Sequence, residues 1–284
     1  MKQVKKNLSA SVYNRLKNVA RERKRPVQEI FQYYSMERFL YRLSISHHQN
    51  SFFLKGGLML MVWDPHSHRA TVDIDLLAKT SNKIENLKNI IIDICTFDVI
   101  PDGIHFETNS LKIREAQLDT EYHGLSASFT AQLFTAKLPM RIDFGFSDSI
   151  FPKPTSLQYP VLLDFPKPKL KGYTLQTLIA EKFESIVRLG LANTRMKDFY
   201  DIWLLIQQFP LDQKKLIEIV QKVLKKRGTH VSEMPKAFTE EFYNNANKIE
   251  KWKGFLKDVS HDEVPLKKVI MELKNHFECL FSKI

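Results

Sequence analysis

The chain has 284 residues, of which 43 are Lys or Arg and 32 are Asp or Glu, for a formal net charge of +11 at pH 7. A hydrophobic share of 43% is enough to bury a sizeable core, and two cysteines are too few for a disulfide scaffold or a cysteine-built zinc site. No apolar run is long enough to cross a bilayer, and the basic start MKQVKKNLSASVYNRLKN lacks the apolar stretch of a signal peptide, so the expectation is a cytoplasmic protein with no membrane contact and a surplus of positive charge suited to a polyanion.

Residues 9–44 are expected to be helical. Ser9 or Ser11 is a candidate N-cap, and Val12, Leu16, Val19 and Ala20 recur at helical spacing until Pro26 ends the first helix. VQEIFQYYSMERFLYRLS predicts a second helix, with Ile30, Tyr34, Phe39 and Leu43 among its apolar positions. The charged run 21–25 reads as a solvated face. SFFLKGGLMLMVWD then changes character: FFL is a short strand, Lys55-Gly56-Gly57 a tight turn, and LMLMVW a short apolar helix. A strand, a glycine turn and a helix start leave amides free and favour an anion such as phosphate. A polar loop, DPHSHRA, follows.

RATVDIDLL, residues 69–77, is apolar at Val72, Ile74, Leu76 and Leu77, yet it holds Asp73 and Asp75. Aspartate is depleted in strands, and a buried carboxylate is unfavourable unless something pairs with it. A strand period of two puts Asp73 and Asp75 on one face and Val72, Ile74 and Leu76 on the other, toward the core. Residues 83–97 predict a helix ending near Cys95. Residues 104–146 predict a meander of strands, in which Leu125, Ala127, Phe129, Ala131 and Leu133 share one face. Leu138, Met140, Ile142, Phe144 and Phe146 do the same, with Arg141, Asp143 and Gly145 opposite. If the strands of Asp75 and Asp143 are neighbours, three carboxylates converge and need a cation; oxygen-only ligands suit Mg2+ or Mn2+. Beside a phosphate-binding turn, the chemistry of such a site is nucleotidyl transfer with two metals. The plainer alternative is an Asp pair at a strand end, bonded to amides or to arginines such as Arg69 and Arg141.

The proline-rich FPKPTSLQYPVLLDFPKPKLKGY reads as a long connection, with a domain boundary near residue 165: a first domain over 1–165 and a helical one over 166–284. In LQTLIAEKFESIVRLGL, Lys182 falls on the apolar stripe of Leu175, Leu178, Ile179, Ile186 and Leu189. Its amine either snorkels to water or reaches an anion. In NTRMKDFYDIWLLI, Asp198 and Asp201 are three apart and share a face beside Arg195 and Lys197, where local ion pairs are the simplest reading.

Taken in order, LKGGLML, RATVDIDLL, RIDFGF, LIAEKFESIVRLG and RMKDFYDI resemble the AbiEii/AbiGii toxin family, nucleotidyltransferase-like toxins of bacterial type IV toxin–antitoxin systems. The likeness runs from ERFLYRLS to about Trp203. It implies an α+β fold: a polymerase-β-like nucleotidyltransferase core, a mixed sheet with flanking helices, followed by a helical C-terminal domain. It implies that Asp73, Asp75 and Asp143 hold Mg2+ or Mn2+, and that Lys55, Gly56, Gly57, Arg69 and Lys182 form the nucleotide-binding set. It also implies that Asp73, Asp75, Asp143, Lys182 and Asp198 are the catalytic residues, with Asp201 the other candidate for the last position. Related enzymes commonly carry Gly-Ser where this chain has Gly56-Gly57, so a hydroxyl donor is missing there. The expected activity is transfer of a nucleoside monophosphate from a nucleoside triphosphate to an RNA acceptor, tRNA, blocking translation, with a cognate antitoxin as partner. The alternatives are a protein or small-molecule acceptor, and a module that binds RNA or a partner without turnover.

Overall fold

In a computed structural model, residues 2–64, 69–119, 122–147, 150–231, 233–259 and 263–281 are described. The loop expected at DPHSHRA falls largely on residues 65–68, outside the described residues. The chain divides into two compact units: residues 1–150 with 154–173, and residues 151–153 with 174–284.

The first unit opens with helices α1 (Lys2–Glu22) and α2 (Val27–Ile45). The first helix starts well before Ser9, so Ser9 does not cap it. The Ser9 hydroxyl donates to the Gly103 carbonyl at 2.8 Å and accepts the Phe134 amide at 2.7 Å. Helix α2 is buried almost all round, as a helix threaded through a core must be. Its charges are therefore paired. Arg42 grips Asp102 through two bonds of 2.7 and 3.1 Å, and Glu37 accepts the Leu162 amide at 2.7 Å while pairing with Arg38. Burial pushes the Glu37 carboxyl up to about 7.

Strand β1 (Phe52–Lys55), helix α3 (Leu58–Trp63), strand β2 (Ile74–Ala78), helix α4 (Ile84–Thr96) and strands β3 (Ile104–Asp119), β4 (Tyr122–Leu133) and β5 (Ala136–Phe146) follow. Strands β6 (Thr155–Gln158) and β7 (Lys169–Gly172) complete a mixed sheet of order β3-β4-β5-β2-β1-β7-β6. The β2–β5 and β1–β7 pairs are parallel and the rest antiparallel. The alternation expected on β4 and β5 is present: Leu125, Ala127, Phe129, Ala131, Leu133, Leu138, Met140, Ile142 and Phe144 are all buried. Val72 departs from expectation. It is 67% exposed, because the strand begins only at Ile74 and the approach to it has left the pleat.

The proline-rich segment is not a free connection. Its residues 155–158 and 169–172 pair with each other, and β7 lies along β1, so the first unit's sheet runs on past residue 165 to Gly172. Pro154 and Pro168 sit directly before β6 and β7, where a missing amide breaks no ladder bond.

The second unit contains α5 (Leu175–Leu189), α6 (Met196–Gln208), α7 (Gln213–Lys226), α8 (Glu240–Tyr243), α9 (Ala246–Val259), α10 (Leu266–His276) and α11 (Glu278–Phe281). Its core gathers Phe183, Phe238, Phe277 and Phe281. Within it Glu184, wholly buried on α5, holds Arg188, Arg227 and Thr229 at 3.0, 2.8 and 2.7 Å and so ties α5 to the end of α7.

The two cysteines differ in reactivity. Cys95 is buried and its thiol is pushed up to about 12 by desolvation, whereas Cys279 is exposed. A maleimide is expected to label one thiol per folded chain, at Cys279, and a second only in denaturant; peptide mapping of the labelled chain checks this.

Candidate active site

The site builds from a row across three neighbouring strands. β1 and β2 pair at Lys55↔Asp75, and β2 and β5 pair at Asp75↔Asp143. Residues directly opposite in paired strands project to the same face, so Lys55, Asp75 and Asp143 stand side by side. A step of two along β5 keeps the face, which adds Arg141 and Gly145, and Asp73 stands just before β2. The Lys55 amine lies over Gly145, 3.3 Å from where a side chain there would begin. Glycine at that position leaves room for the ammonium.

The glycine turn closes the row. Gly56 has a φ of +65°, the left-handed region, and a Cβ there would lie 1.9 Å from Asp75 Oδ2. Backbone and carboxylate approach so closely that glycine is required twice over. Gly57 opens α3 and faces Thr71: a Cβ at residue 57 would sit 2.9 Å from the Thr71 hydroxyl and 3.5 Å from Arg69 Nη2. The hydroxyl that Gly-Ser would carry is absent from the turn, and the Thr71 hydroxyl occupies the adjoining space. Thr71 donates to Asp73 Oδ1 at 2.9 Å. Tyr33 on α2 fixes this approach, accepting the Thr71 amide at 3.1 Å and donating to the Arg69 carbonyl at 3.4 Å. Burial pushes the Tyr33 phenol up to about 12, so it stays a protonated donor. Thr71 and Tyr33 escaped the sequence reading. A Thr two residues before an Asp was visible, but nothing marked Tyr33 among the apolar positions of its helix.

Asp143 is buried and paired: Arg141 reaches its two oxygens with Nε and Nη2, each at 3.1 Å. The carboxylates of Asp143, then Asp73 and Asp75, raise the Arg141 guanidinium above its ordinary value. Among the described residues, the three carboxylates do not form a set whose oxygens all lie within 4.8 Å of one another. Asp73 is turned to Thr71 and Asp143 to Arg141. By type and face the residues fit a divalent cation, since they are oxygen donors on one polar face around a close glycine turn. Arg141 competes with such a cation for Asp143. Arg141→Gln is therefore expected to tighten Mn2+ binding, measured by the resonance of free Mn2+, by up to about fivefold, the equivalent of the ~1 kcal/mol of a half-exposed ion pair.

The remaining expected residues come together in the second unit. Lys182, on the apolar face of α5, places its amine 2.6 Å from Asp198 Oδ1 and 2.9 Å from Asp201 Oδ2 on α6. Arg195 reaches Asp198 Oδ2 at 2.7 Å. Both aspartates are wholly buried, so the local ion pairs read at this helix start are in place, with Lys182 joining them.

Residues 38–275 match the sequence model of a family described as the nucleotidyl transferase AbiEii toxin of type IV toxin–antitoxin systems. The chain belongs to this family. The AbiEii chain is thus a nucleotidyltransferase toxin of a toxin–antitoxin system, with a nucleoside triphosphate as the substrate its family implies. No curated protein matches it closely enough to count as a relative. Its fold is similar to that of MenT4, a nucleotidyltransferase toxin from Mycobacterium tuberculosis H37Rv, with a TM-score of 0.52 at 14% identity over 94% of this chain and 99% of that one. JHP933 from Helicobacter pylori aligns with a TM-score of 0.49 at 12% identity over 90% of this chain and 93% of that one. The mixed sheet with flanking helices, followed by C-terminal helices, is the fold class the sequence led us to expect. Among the described residues no helix is long and apolar enough to cross a membrane.

Proposed function

We propose that this toxin transfers a nucleoside monophosphate from a nucleoside triphosphate to an RNA acceptor, tRNA, in a Mg2+-dependent reaction that blocks translation in the cytoplasm. The observation that carries the reading is the row of Lys55, Asp75 and Asp143 across β1, β2 and β5, beside the left-handed Gly56. Asp73, Asp75 and Asp143 would hold the cation. The chemistry it would supply there is positive charge against the triphosphate. Gly56 and Gly57 bring backbone against the phosphates, and Lys55 and Arg69 add positive charge beside them.

In the step itself, the acceptor hydroxyl oxygen bonds to the α-phosphorus. The bond from that phosphorus to its bridging oxygen breaks, and pyrophosphate leaves with the electron pair. The hydroxyl proton passes to Asp143, which requires Arg141 to release one carboxylate oxygen. Arg141 is more than half exposed and is free to swing outward. For the acceptor, the net charge of +11 and the exposed lysines 214, 215, 222 and 225 of α7 favour a polyanion. A cognate antitoxin is the protein partner this reading calls for.

The test is incubation with Mg2+, total tRNA and each α-labelled ribonucleoside triphosphate in turn, with an Asp73→Ala, Asp75→Ala variant alongside. Label in RNA with the wild type alone supports the proposal and names the nucleotide. Label in protein moves the acceptor to a polypeptide. No label, with RNA bound equally by both proteins, replaces transfer with binding.

A further inference from the structure

At the other end of β1 from Lys55 and Asp75, the turn after α2 carries two adjacent histidines, and α4 presents Asp93 to them. The Asp93 Oδ2 lies 3.3 Å from His48 Nε2 and 4.0 Å from His47 Nε2, and the two rings lie with centroids 3.9 Å apart, tilted by 44°. Among the described residues this is the group of three potential ligands whose donor atoms all lie within 4.8 Å of one another. We propose that His47, His48 and Asp93 form a binding site for a first-row divalent transition metal, zinc foremost, distinct from the carboxylate site on β2 and β5.

The geometry suits it. Metal–nitrogen and metal–oxygen distances near 2.0–2.2 Å in a tetrahedral site put ligand atoms roughly 3.3–3.5 Å apart. The His48–Asp93 separation of 3.3 Å already has that value, and His47, at 4.0 Å from the same oxygen and 71% exposed, has room to turn toward it. Two imidazoles and one carboxylate select zinc, nickel, cobalt or copper over Mg2+, which prefers oxygen.

The turn is also built rather than loose. The Ser46 hydroxyl, buried, donates to the Leu43 carbonyl at 2.9 Å and accepts the His48 amide at 3.2 Å. The Ser46 amide continues the α2 ladder, the Ser51 amide bonds the His48 carbonyl, and the Lys79 amide bonds Ser51. The backbone under His48 is therefore held from α2 on one side and from the end of β2 on the other. A metal would join this turn to α4, two segments 45 residues apart in sequence, and leave its remaining positions to water.

The ordinary alternative is a surface His–Asp pair that takes no metal, and it makes the opposite prediction. The full chain, stripped with a chelator and dialysed, is titrated with Zn2+ by calorimetry in excess Mg2+, which occupies oxygen sites and ignores imidazole. Co2+ is followed in parallel by its visible absorption. Wild type is expected to bind one Zn2+, with the Co2+ spectrum of a nitrogen-containing, four-coordinate site, and its melting midpoint should rise with Zn2+. His48→Ala and Asp93→Asn should each weaken binding by at least about tenfold and lose the rise in midpoint. Asp93 is exposed, so its asparagine variant keeps the fold and the comparison valid. No saturable Zn2+ binding by wild type, or equal binding by both variants, overturns the proposal. The assay contains neither nucleotide nor RNA, so its outcome is independent of the transfer reading.

Discussion

Asp75→Asn is expected to lose nucleotidyl transfer while keeping the fold. The substitution preserves shape and removes one negative charge from a face that also carries Asp73 and Asp143. Repulsion on that face falls, so the melting midpoint should hold or rise. Activity should behave oppositely. Changing a group that merely supports a metal ligand lowers affinity or activity by about 10–100-fold, and removing a ligand itself should exceed the upper figure. The measurement is kcat/KM for labelled nucleotide transfer at saturating Mg2+, with circular dichroism and a melting curve on the same preparation. A variant retaining more than about a tenth of wild-type activity would remove Asp75 from the site. Gly56→Ala tests the same geometry from the backbone side. Its Cβ would fall 1.9 Å from Asp75 Oδ2, so the carboxylate must move or the turn must open. Asn at Asp75 and Ala at Gly56 should converge on the same loss of rate, although only the second strains the backbone.

That site was legible in the sequence to the extent that it depends on local period. Asp73 and Asp75 are two apart, and the alternation over residues 138–146 put Asp143 on a polar face, so one assumption, that the two strands pair, was enough to join them. The register Asp75↔Asp143 is the tertiary fact that joins them. What lay hidden depends on contacts between segments far apart in sequence. Ser9 has the composition of a helix cap, but Gly103 and Phe134, more than ninety residues on, claim its hydroxyl. The proline-rich segment has the composition of a linker, but its ladder partners are β1 and its own other half. Val72 fits an apolar strand by type, yet the strand starts two residues later. Gly57, where related enzymes carry a serine, becomes intelligible only when Thr71 is found against it. In each case the local preference is real, and a contact with a sequence-distant partner outweighs it.

Lys182→Met is expected to destabilise the second unit severely. The ammonium lies on an apolar face and touches two carboxylates that have no access to solvent. Methionine is unbranched, one atom shorter and suits the stripe around it, so packing is largely conserved and the missing charge is the main difference. Asp198 keeps Arg195, whose side chain is 41% exposed and only partly desolvated, and Asp201 loses the ammonium 2.9 Å away. Breaking a buried pair by removing one partner costs about 3–5 kcal/mol, because the carboxylate left behind stays desolvated and loses the ammonium opposite it. Against a total of roughly 5–15 kcal/mol for a domain, that is enough to unfold the unit well below the wild-type temperature. Trp203 and Trp252 both lie in this unit, so the fluorescence transition, with Trp63 changed to Phe, reads it separately. Lys182→Met, Asp201→Asn should recover much of the loss, since the buried negative charge that faced the ammonium goes with it while Asp198 keeps Arg195. The other role considered for this lysine, an ammonium directed at the triphosphate, predicts a different pattern: Lys182→Met would keep the wild-type melting curve and raise KM for the nucleotide. An amine already held by two buried carboxylates would have to leave both to reach a phosphate, and desolvated aspartates hold a cation more strongly than water-exposed phosphates recruit one. The melting curve therefore decides between the two roles before any kinetic assay is run.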